Sequence, residues 1–518
     1  MKKINLYIIS FISIIILTAT ACFDDDSMLD INKIPGVAID TTGNSQYDVF
    51  QFERLKIIPN LVSEDVKQEQ LRYEWRINLV PNDTLYELIS EDRNLDYEVR
   101  LKPTTSGTTH QIFYKVIDDV SGLEYIMAWP LTIKNNIGEG LVIANTKDGN
   151  STDISHIMSA EVTTDFNKTE VKYNIYSAVN GGNTIEGLIK QFQYAKVGRD
   201  DAILGITDNS MIKINLLDYS LGGVNDDLFF SSKSNYQPQL LSDLPQSTVY
   251  VGNGKLTGSY LAAFQKFGIP YDFSYVVPSH LAINGYTYSP LPIRIQFYDE
   301  VNQHFVYQPG FNSFGDDDMH KTPGASGASF DPLDIKNKIN VAANVSTTGD
   351  FRHLLKDKAS GNIDLYIFDG GIEQPYPDPA TPPAPKALYS LANAPEISNA
   401  TKFVLLQDQR VLYYATSTKI YAMLYSTSAP SFELRYTVPA GEEITTMQIY
   451  QQAGFPYDGT SRAYLNTNNK QIIISTFKGT EGKVSLLPII NSGLANIDTP
   501  NIKTFEGFGR ITAIGTQK

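Results

Sequence analysis

The sequence predicts an all-β protein, and three observations support this fold class. Short segments in which apolar and polar residues alternate recur along the chain, separated by residues that favour turns. After about residue 137, no long stretch shows helical periodicity. Near the C-terminus, groups of four such segments recur at intervals of about 40 to 50 residues, which is the spacing of β-propeller blades.

Length and composition agree with a folded protein of more than one domain. The chain has 518 residues, of which 42% are hydrophobic and 19% are charged. Such a composition can bury a large core and excludes a disordered or collagen-like chain. The formal net charge is -15. Because this charge repels phosphate backbones, we expect no nucleic-acid partner.

The N-terminus has the features of a bacterial lipoprotein signal. Met1-Lys2-Lys3 is positively charged, Ile4 to Leu17 is apolar, and a run of small residues precedes Cys22. Residues 1–21 therefore resemble a secretory signal peptide, with the Cys22 thiol as the site of lipid attachment. Cys22 is the only cysteine, which excludes intramolecular disulfides and cysteine-rich zinc sites. A transmembrane anchor with a chance cysteine is the alternative.

An acidic run follows the cysteine at Asp24, Asp25 and Asp26. In this position it resembles the surface-export signal of lipoproteins from Bacteroidetes. The resemblance implies display on the cell surface, at the outer face of the outer membrane, with acyl chains on Cys22 as the anchor. A solvated acidic linker is the alternative. Residues 22–34 are assigned to this lipidated acidic linker.

Residues 35–136 are predicted to form a β-sandwich of the immunoglobulin type. In one strand Tyr73, Trp75 and Ile77 alternate with charged residues and are expected to face inward. Tyr73-x-Trp75 and the segment Tyr114–Asp118 resemble PKD-like domains, although the Gly-Asp-Gly loop motif is absent after Trp75. The predicted strands are Val49–Ile58, Tyr73–Val80, Tyr97–Lys102, Gln111–Asp118 and Glu124–Ile133.

Residues 137–518 are predicted to form a β-propeller of about seven blades. Asp148-Gly149 and Asp208-Asn209 each separate two apolar segments and are typical of tight hairpin turns. A short helix is predicted around Ile185 to Tyr194. Two or three further β-sandwiches are the alternative architecture. The two clearest four-strand groups are Phe403–Gln407, Val411–Ala415, Ile420–Leu424 and Glu433–Val438, then Ile444–Tyr450, Ala463–Asn466, Gln471–Phe477 and Lys483–Pro488.

The sequence carries no recognisable catalytic or cofactor motif. It lacks the nucleophile elbow, the zinc-protease helix, the phosphate loop and the dinucleotide fingerprint. The histidines show no zinc-ligand spacing, so we expect no metal and no cofactor. Asp316 to Asp318 beside His320 carry oxygens suited to Ca²⁺, but adjacent carboxylates do not converge on one ion, and a solvated loop is expected. The sequence does not single out a carboxylate pair for glycoside hydrolysis.

Ligand-binding residues are not assigned by the sequence. Both tryptophans, Trp75 and Trp129, fall in the first domain. Stacking against a ligand in the propeller would therefore fall to tyrosines such as those of Tyr271–Tyr275 and Tyr376, although core packing is the expected role for most of them.

Together, Cys22, Asp24 to Asp26, the PKD-like domain and the β-rich remainder resemble the PKD-like family of surface lipoproteins from Bacteroidetes. The resemblance implies an accessory of a SusC-like TonB-dependent transporter and a SusD-like lipoprotein in nutrient uptake. The leading function is a non-catalytic component that binds a peptide or glycan or docks on the transporter. A propeller-scaffold glycoside hydrolase or peptidase feeding the same system is one alternative, and a purely structural scaffold is another.

Overall fold

The structure is a computed structural model that divides into two compact units. The first contains residues up to Val99 and Thr104–Lys134, and the second contains Arg100–Pro103 and Asn135–Lys518. The described residues are 36–40, 45–64, 66–104, 108–197, 200–244, 247–260, 266–272, 274–286, 290–310, 319–373, 381–427, 429–456 and 464–518. Within them the regular structure is almost entirely β, which confirms the predicted fold class. One short helix, α1 (Ile175–Val179), is present in this part of the chain.

The first unit contains one large sheet and two small ones. The large sheet has the strand order β2-β9-β8-β5-β6, and the small sheets pair β1 with β4 and β3 with β7. Only the β2–β9 pair is parallel among the described pairs of this unit. The strands are β1 Gly36–Asp40, β2 Tyr47–Phe50, β3 Arg54–Ile57, β4 Asn60–Glu64, β5 Leu71–Asn78, β6 Tyr86–Ser90, β7 Leu95–Glu98, β8 His110–Asp118 and β9 Glu124–Lys134.

Trp75 is at the centre of the core of this unit. Alternation along β5 buries Trp75 and Ile77 completely, as their inward positions predict. The Trp75 ring stacks on Tyr114 with a centroid distance of 4.3 Å and lies 6.3 Å from Trp129. Its indole N–H donates to the backbone oxygen of Asp92 at 3.0 Å. The buried ring therefore keeps its one polar atom satisfied.

The predicted strand Val49–Ile58 is wrong as a single element. Its first part pairs with β9, whereas its second part pairs with β7 in a different sheet. Phe52 lies between them with a φ of +67°. This left-handed backbone conformation breaks an extended strand. Apolar residues lie close to the break on both sides, and no Pro or Gly separates them, which is why the segment suggested one strand.

The second unit is a β-propeller, in which seven antiparallel sheets are found among the described residues. The first blade contains β10 Gly140–Thr146, β11 Ser151–Ser159, β12 Thr169–Lys172 and β13 Ile185–Glu186. The second contains β14 Gln191–Val197, β15 Asp200–Ile206, β16 Met211–Asn215 and β17 Leu221–Val224. The third contains β18 Pro238–Leu244, β19 Ser247–Gly252 and β20 Lys255–Tyr260. The fourth contains β21 Ala282–Ile283, β22 Ile295–Asp299, β23 His304–Gln308 and β24 His320–Lys321.

Three further blades and a closing strand complete the propeller. The fifth blade contains β25 Lys338–Val345, β26 Phe351–Asp357, β27 Ile363–Asp369 and β28 Ala384–Ser390. The sixth contains β29 Lys402–Leu405, β30 Val411–Ala415, β31 Lys419–Leu424 and β32 Ser431–Thr437. The seventh contains β33 Glu443–Ile449, β34 Gln471–Lys478, β35 Glu481–Ile490, β36 Asn496–Ile497 and β37 Lys503–Phe508, and the closing strand is β38 Arg510–Gln517.

The closing strand β38 belongs to the first blade. It pairs with β10 from Gly140 opposite Gln517 to Thr146 opposite Arg510. Strand β38 also contacts β14 of the second blade and β33 of the seventh. The first blade is therefore built from both ends of the second unit, and this pairing closes the ring of blades. The count of seven agrees with the predicted number.

The blades pack face to face through apolar side chains. A separate buried cluster fills each interface from the second blade round to the first. Central strands are consequently buried on both faces, and every residue of β22 and β23 is buried. Apolar burial of this kind is the main favourable contribution to folding. The alternative of further β-sandwiches is thereby excluded.

Buried hydrogen bonds join the first blade to the second. The Tyr219 hydroxyl, which follows β16, donates to Oε1 of Gln517 at 2.7 Å and lies 3.0 Å from Nδ1 of His156. Gln517 in turn donates from Nε2 to the backbone oxygen of Gly138 at 2.6 Å. Because the three side chains are buried, each bond also removes the cost of an unpaired polar atom.

Two predicted elements of the propeller are wrong. The predicted helix around Ile185 to Tyr194 consists of β13 and the start of β14. Ile185, Leu188, Ile189 and Phe192 have helical spacing, but Gly187 has a φ of +84° and interrupts any helix. The predicted strand Ala463–Asn466 is a loop and turn over its described residues, and β37 pairs with β35 as an outer strand instead.

We expect the substitution Gly515→Ala in β38 to weaken the closure between the first two blades. An added Cβ would lie 2.5 Å from the Cβ of Phe192 in β14. Overpacking of this kind costs about 1–3 kcal/mol of the free energy of unfolding, which urea denaturation measures. Gly493→Ala is the matched control, since its nearest neighbour, Oε1 of Gln409, lies 3.5 Å away. Equal stability of both variants would contradict the tight contact.

Candidate functional site

A cavity of about 320 Å³ lies where the innermost strands of the propeller meet. It is lined by residues from six of the seven blades in the described part of the chain. We call it the central cavity. Its lining residues are Gln191, Phe192, Gln193, Tyr194, Ser242, Asp243, Ile283, Gln407, Gln448, Ile449, Gln451, Gln452, Ala453, Gly454, Phe455, Ile514, Gly515 and Thr516. Because so many blades contribute, the central cavity lies on the propeller axis.

Six glutamines give the central cavity its chemical character. Each amide offers two N–H donors and one carbonyl acceptor without carrying charge. Alternation along β14 separates these amides from the packing residues. Phe192 and Tyr194 are buried, whereas Gln191 and Gln193 are only half-buried. The same strand therefore packs against its neighbours and presents amides to the cavity.

Two of the glutamines are held by hydrogen bonds to the protein. Gln191 donates from Nε2 to the backbone oxygen of Leu241 at 2.6 Å and accepts from the Leu241 N–H at 2.9 Å. Gln452 donates from Nε2 to Oε1 of Glu139 at 2.5 Å and accepts from the Leu465 N–H at 2.6 Å. These two side chains form fixed parts of the wall.

The other glutamines keep hydrogen-bonding capacity. Gln451 donates from Nε2 to Oε1 of Gln407 and to Oδ1 of Asn469, both at 2.8 Å. These bonds leave Oε1 of Gln451 and Nε2 of Gln407 available to a ligand. Gln193 donates from Nε2 to the backbone oxygen of Tyr194 at 2.9 Å, which leaves its Oε1. Gln448 forms no side-chain hydrogen bond with a described residue.

Arg352 in β26 fixes the segment that carries Gln407. Its guanidinium donates to the backbone oxygen of Leu406 at 2.5 Å and to that of Gln407 at 3.4 Å. Arg352 is buried and only 5% exposed. A buried guanidinium that is bonded to carbonyl oxygens orients them firmly, because breaking these bonds would leave a buried charge unpaired.

The cavity also contains an aromatic side chain and a carboxylate. The half-buried ring of Phe455 packs edge-to-face with Tyr464 at a centroid distance of 5.0 Å. The Tyr464 hydroxyl donates to the backbone oxygen of Gly454 at 2.8 Å, which fixes this pair. Asp243 is the only charged side chain among the described lining residues. Thr248 donates to its Oδ1 at 3.4 Å.

The described lining is suited to binding by hydrogen bonds. Hydrolysis of glycosides by two carboxyl groups requires a second carboxylate beside Asp243, and the described lining supplies none.

Across the described residues, no three His, Cys, Asp or Glu side chains come together as metal ligands. In the same part of the chain, no helix has the length and hydropathy that crossing a membrane requires.

Most residues that the sequence marked for attention lie away from the central cavity. Cys22, Asp24 to Asp26, Asp316 to Asp318 and Tyr376 lie outside the described residues. His320 is exposed on β24, and Trp75 and Trp129 are in the core of the first unit. Tyr271 is buried in the interface between the third and fourth blades. The expected core role is therefore confirmed for Tyr271.

The cavity glutamines were missed by the sequence analysis. Gln191-x-Gln193 lies in a segment that was assigned to a helix, which hid the alternation. Gln451-Gln452 follows a correctly predicted strand, β33. The signal present in the sequence is the pair of adjacent glutamines directly after the innermost strand β33. This pair can be recognised as part of a site only in the folded propeller, where β14, β33 and β38 come together.

Comparison with known proteins finds a family match in the N-terminal part of the chain. Residues 22–187 match the model of the PKD-like family. This match confirms the PKD-like resemblance predicted from Tyr73, Trp75 and Tyr114–Asp118. It continues past the first unit and includes β10 to β13 of the first blade. No functionally curated protein matches the sequence.

Solved structures with similar chain traces have low sequence identity. One is a quinoprotein alcohol dehydrogenase-like protein from Bacteroides thetaiotaomicron, with 10% identity, a TM-score of 0.48, and coverage of 93% of this chain and 98% of that chain. Another is the β-propeller domain of Cps50 (Swd1) from Myceliophthora thermophila, with 14% identity, a TM-score of 0.35, and coverage of 62% and 87%. The architecture is assigned from the strand pairing of the chain itself.

A buried histidine lies in the interface between the fourth and fifth blades. His353 is completely buried, and its Nε2 lies 3.2 Å from Oε1 of Gln296. Its Nδ1 lies 3.3 Å from Nδ2 of Asn340, which also donates to the backbone oxygen of His280 at 3.0 Å. These partners fit a neutral ring with the proton on Nε2. Burial lowers the pKa of His353 from 6.5 to about 3.

We expect stability to fall with decreasing pH because of His353. Between pH 6.5 and about pH 3, the unfolded chain binds a proton on His353 and the folded chain does not. The free energy of unfolding is therefore highest above pH 6.5 and falls as the pH decreases towards about 3. Urea denaturation between pH 7.5 and 4 measures the slope. His353→Gln is expected to reduce it, whereas His320→Gln, on the exposed strand β24, leaves it unchanged. An unchanged slope in His353→Gln would contradict the assignment.

Proposed function

We propose that this protein is a surface lipoprotein that binds a peptide or glycan in the central cavity and performs no chemistry on it. The observation that carries the proposal is the cavity lining. Amides from several blades converge on one space, and the described lining contains a single carboxylate. Such a surface can form many neutral hydrogen bonds but has no acid–base pair for hydrolysis.

The proposal includes a lipid anchor at Cys22 and export to the outer face of the outer membrane. Support comes from the sequence: the apolar segment Ile4 to Leu17, the cysteine after small residues, and the aspartates at 24 to 26. The first unit then separates the propeller from the membrane along the chain. Acyl chains on one cysteine suffice for stable attachment when more than one chain is present.

The proposed partners are a SusC-like TonB-dependent transporter and a SusD-like lipoprotein. This part rests on the resemblance to PKD-like surface lipoproteins of Bacteroidetes, of which the family match over residues 22–187 supports the PKD-like part. The protein would raise the local concentration of a nutrient beside the transporter. Co-purification of the lipidated protein from membranes with a transporter tests this association.

We expect Gln451→Ala to weaken ligand binding. The substitution removes an available acceptor and the bonds that orient Gln407, and the loss of one or two neutral hydrogen bonds lowers affinity by about 5- to 30-fold. The mature lipoprotein in detergent would be titrated with peptide and glycan libraries by calorimetry, with product analysis for turnover.

Gln237→Ala is the matched control for this measurement. Gln237 is exposed just before β18 and does not line the cavity. It is expected to bind as the unaltered protein does. Turnover of any library member would favour the glycoside hydrolase or peptidase alternative. Binding that is unaffected by Gln451→Ala would place the ligand elsewhere.

We expect Cys22→Ala to abolish membrane attachment. Without the thiol no diacylglycerol can be added, so metabolic labelling with a fatty acid should fail for the only cysteine in the chain. Replacement of Asp24, Asp25 and Asp26 by alanine should leave labelling intact but protect the protein from protease added to whole cells. Equal protease accessibility in both forms would contradict the export role of the aspartates.

A further inference from the structure

We propose that the central cavity binds an uncharged carbohydrate. This inference rests on the proposed function and specifies the class of ligand. Three properties of the cavity support this inference. Its glutamines keep hydrogen-bonding capacity, its charged side chain is negative, and its volume and the ring of Phe455 suit a small ligand.

The available amide groups match hydroxyl groups. The lining leaves acceptors on Gln193 and Gln451, a donor on Gln407, and both kinds of group on Gln448. A hydroxyl both donates and accepts, so neighbouring hydroxyls of a sugar can satisfy a mixed set of this kind. An apolar ligand would displace water from these amides without replacing its hydrogen bonds, which disfavours its binding.

The charge of the cavity disfavours anions. Asp243 is the only charged residue in the described lining, which includes no lysine, arginine or histidine. Lys518 lies over the Tyr194 ring at 5.1 Å but is not a lining residue. The described lining supplies no cation to a uronic acid or a peptide carboxylate, and such a group would meet a like charge at Asp243, which is repulsive at short range. The ligand is therefore uncharged on the side that meets Asp243.

The size and the aromatic ring fit a short saccharide. A volume of about 320 Å³ is at the lower end of the range for small-molecule sites, about 300–1,000 Å³. Phe455 supplies an apolar surface beside the amides, held by its contact with Tyr464. Sugars combine an apolar C–H face with a rim of hydroxyls, which is the combination that this lining offers. A peptide would additionally need space for side chains.

The test compares neutral and acidic ligands of the same size. The mature lipoprotein would be titrated with neutral oligosaccharides, with their uronic-acid counterparts, and with uncharged capped tripeptides. We expect neutral oligosaccharides to bind and the acidic forms to bind at least about tenfold more weakly. Asp243→Asn should remove most of that discrimination while retaining neutral binding. Asp208→Asn, whose side chain is 76% exposed, is the control and should retain it.

The outcomes separate this inference from the proposed function. Binding of capped peptides and not of sugars would overturn the carbohydrate assignment and leave the binding function intact. Equal affinity for neutral and acidic sugars would overturn it as well. Binding of no ligand class would overturn both. If Asp243→Asn does not fold, Gln448→Ala is titrated with the neutral and the acidic sugars instead. Because Gln448 lines the cavity, this variant should bind both classes more weakly than the unaltered protein. Unchanged binding would place the sugar at another site and overturn the inference.

Discussion

The pairing of β38 with β10 is the constraint on which the second unit depends. It joins residues from opposite ends of the propeller sequence and places Gly515 against Phe192, where no side chain could be accommodated without a shift. The bonds among His156, Tyr219 and Gln517 secure the same interface. With this pairing formed, the remaining blades can each pack on two neighbours. Without it, the first blade would lose its inner strand, and β14 and β33 would lose their contacts with that strand.

The chemistry of the central cavity follows from ring closure. Gln193, Gln407 and Gln451 come from three blades, and no two of them lie on the same sheet. Their positions are set by inner strands that pack tightly and by Arg352, which holds the backbone at Gln407. The amides are therefore positioned by rigid parts of the fold. This preorganisation reduces the entropy that a ligand must lose on binding.

The sequence predicts the fold class well and the site poorly, for related physical reasons. Strands such as β30 and β31 end close to their predicted limits because hairpin turns bound them. Strands such as β22 and β23 show no alternation, because a blade is buried on both faces and all their residues are inside. The break at Phe52 depends on one backbone conformation. The cavity depends on contacts between distant blades, which local patterns do not encode.

The position of β38 has a consequence for biogenesis. The first blade lacks its inner strand until β38, which is far from β10 along the chain, has been synthesised. Before that moment the emerging polypeptide presents an open edge on β10 to other chains. Folding of this unit therefore requires that the open edge of β10 stay unpaired with other chains until β38 has been synthesised.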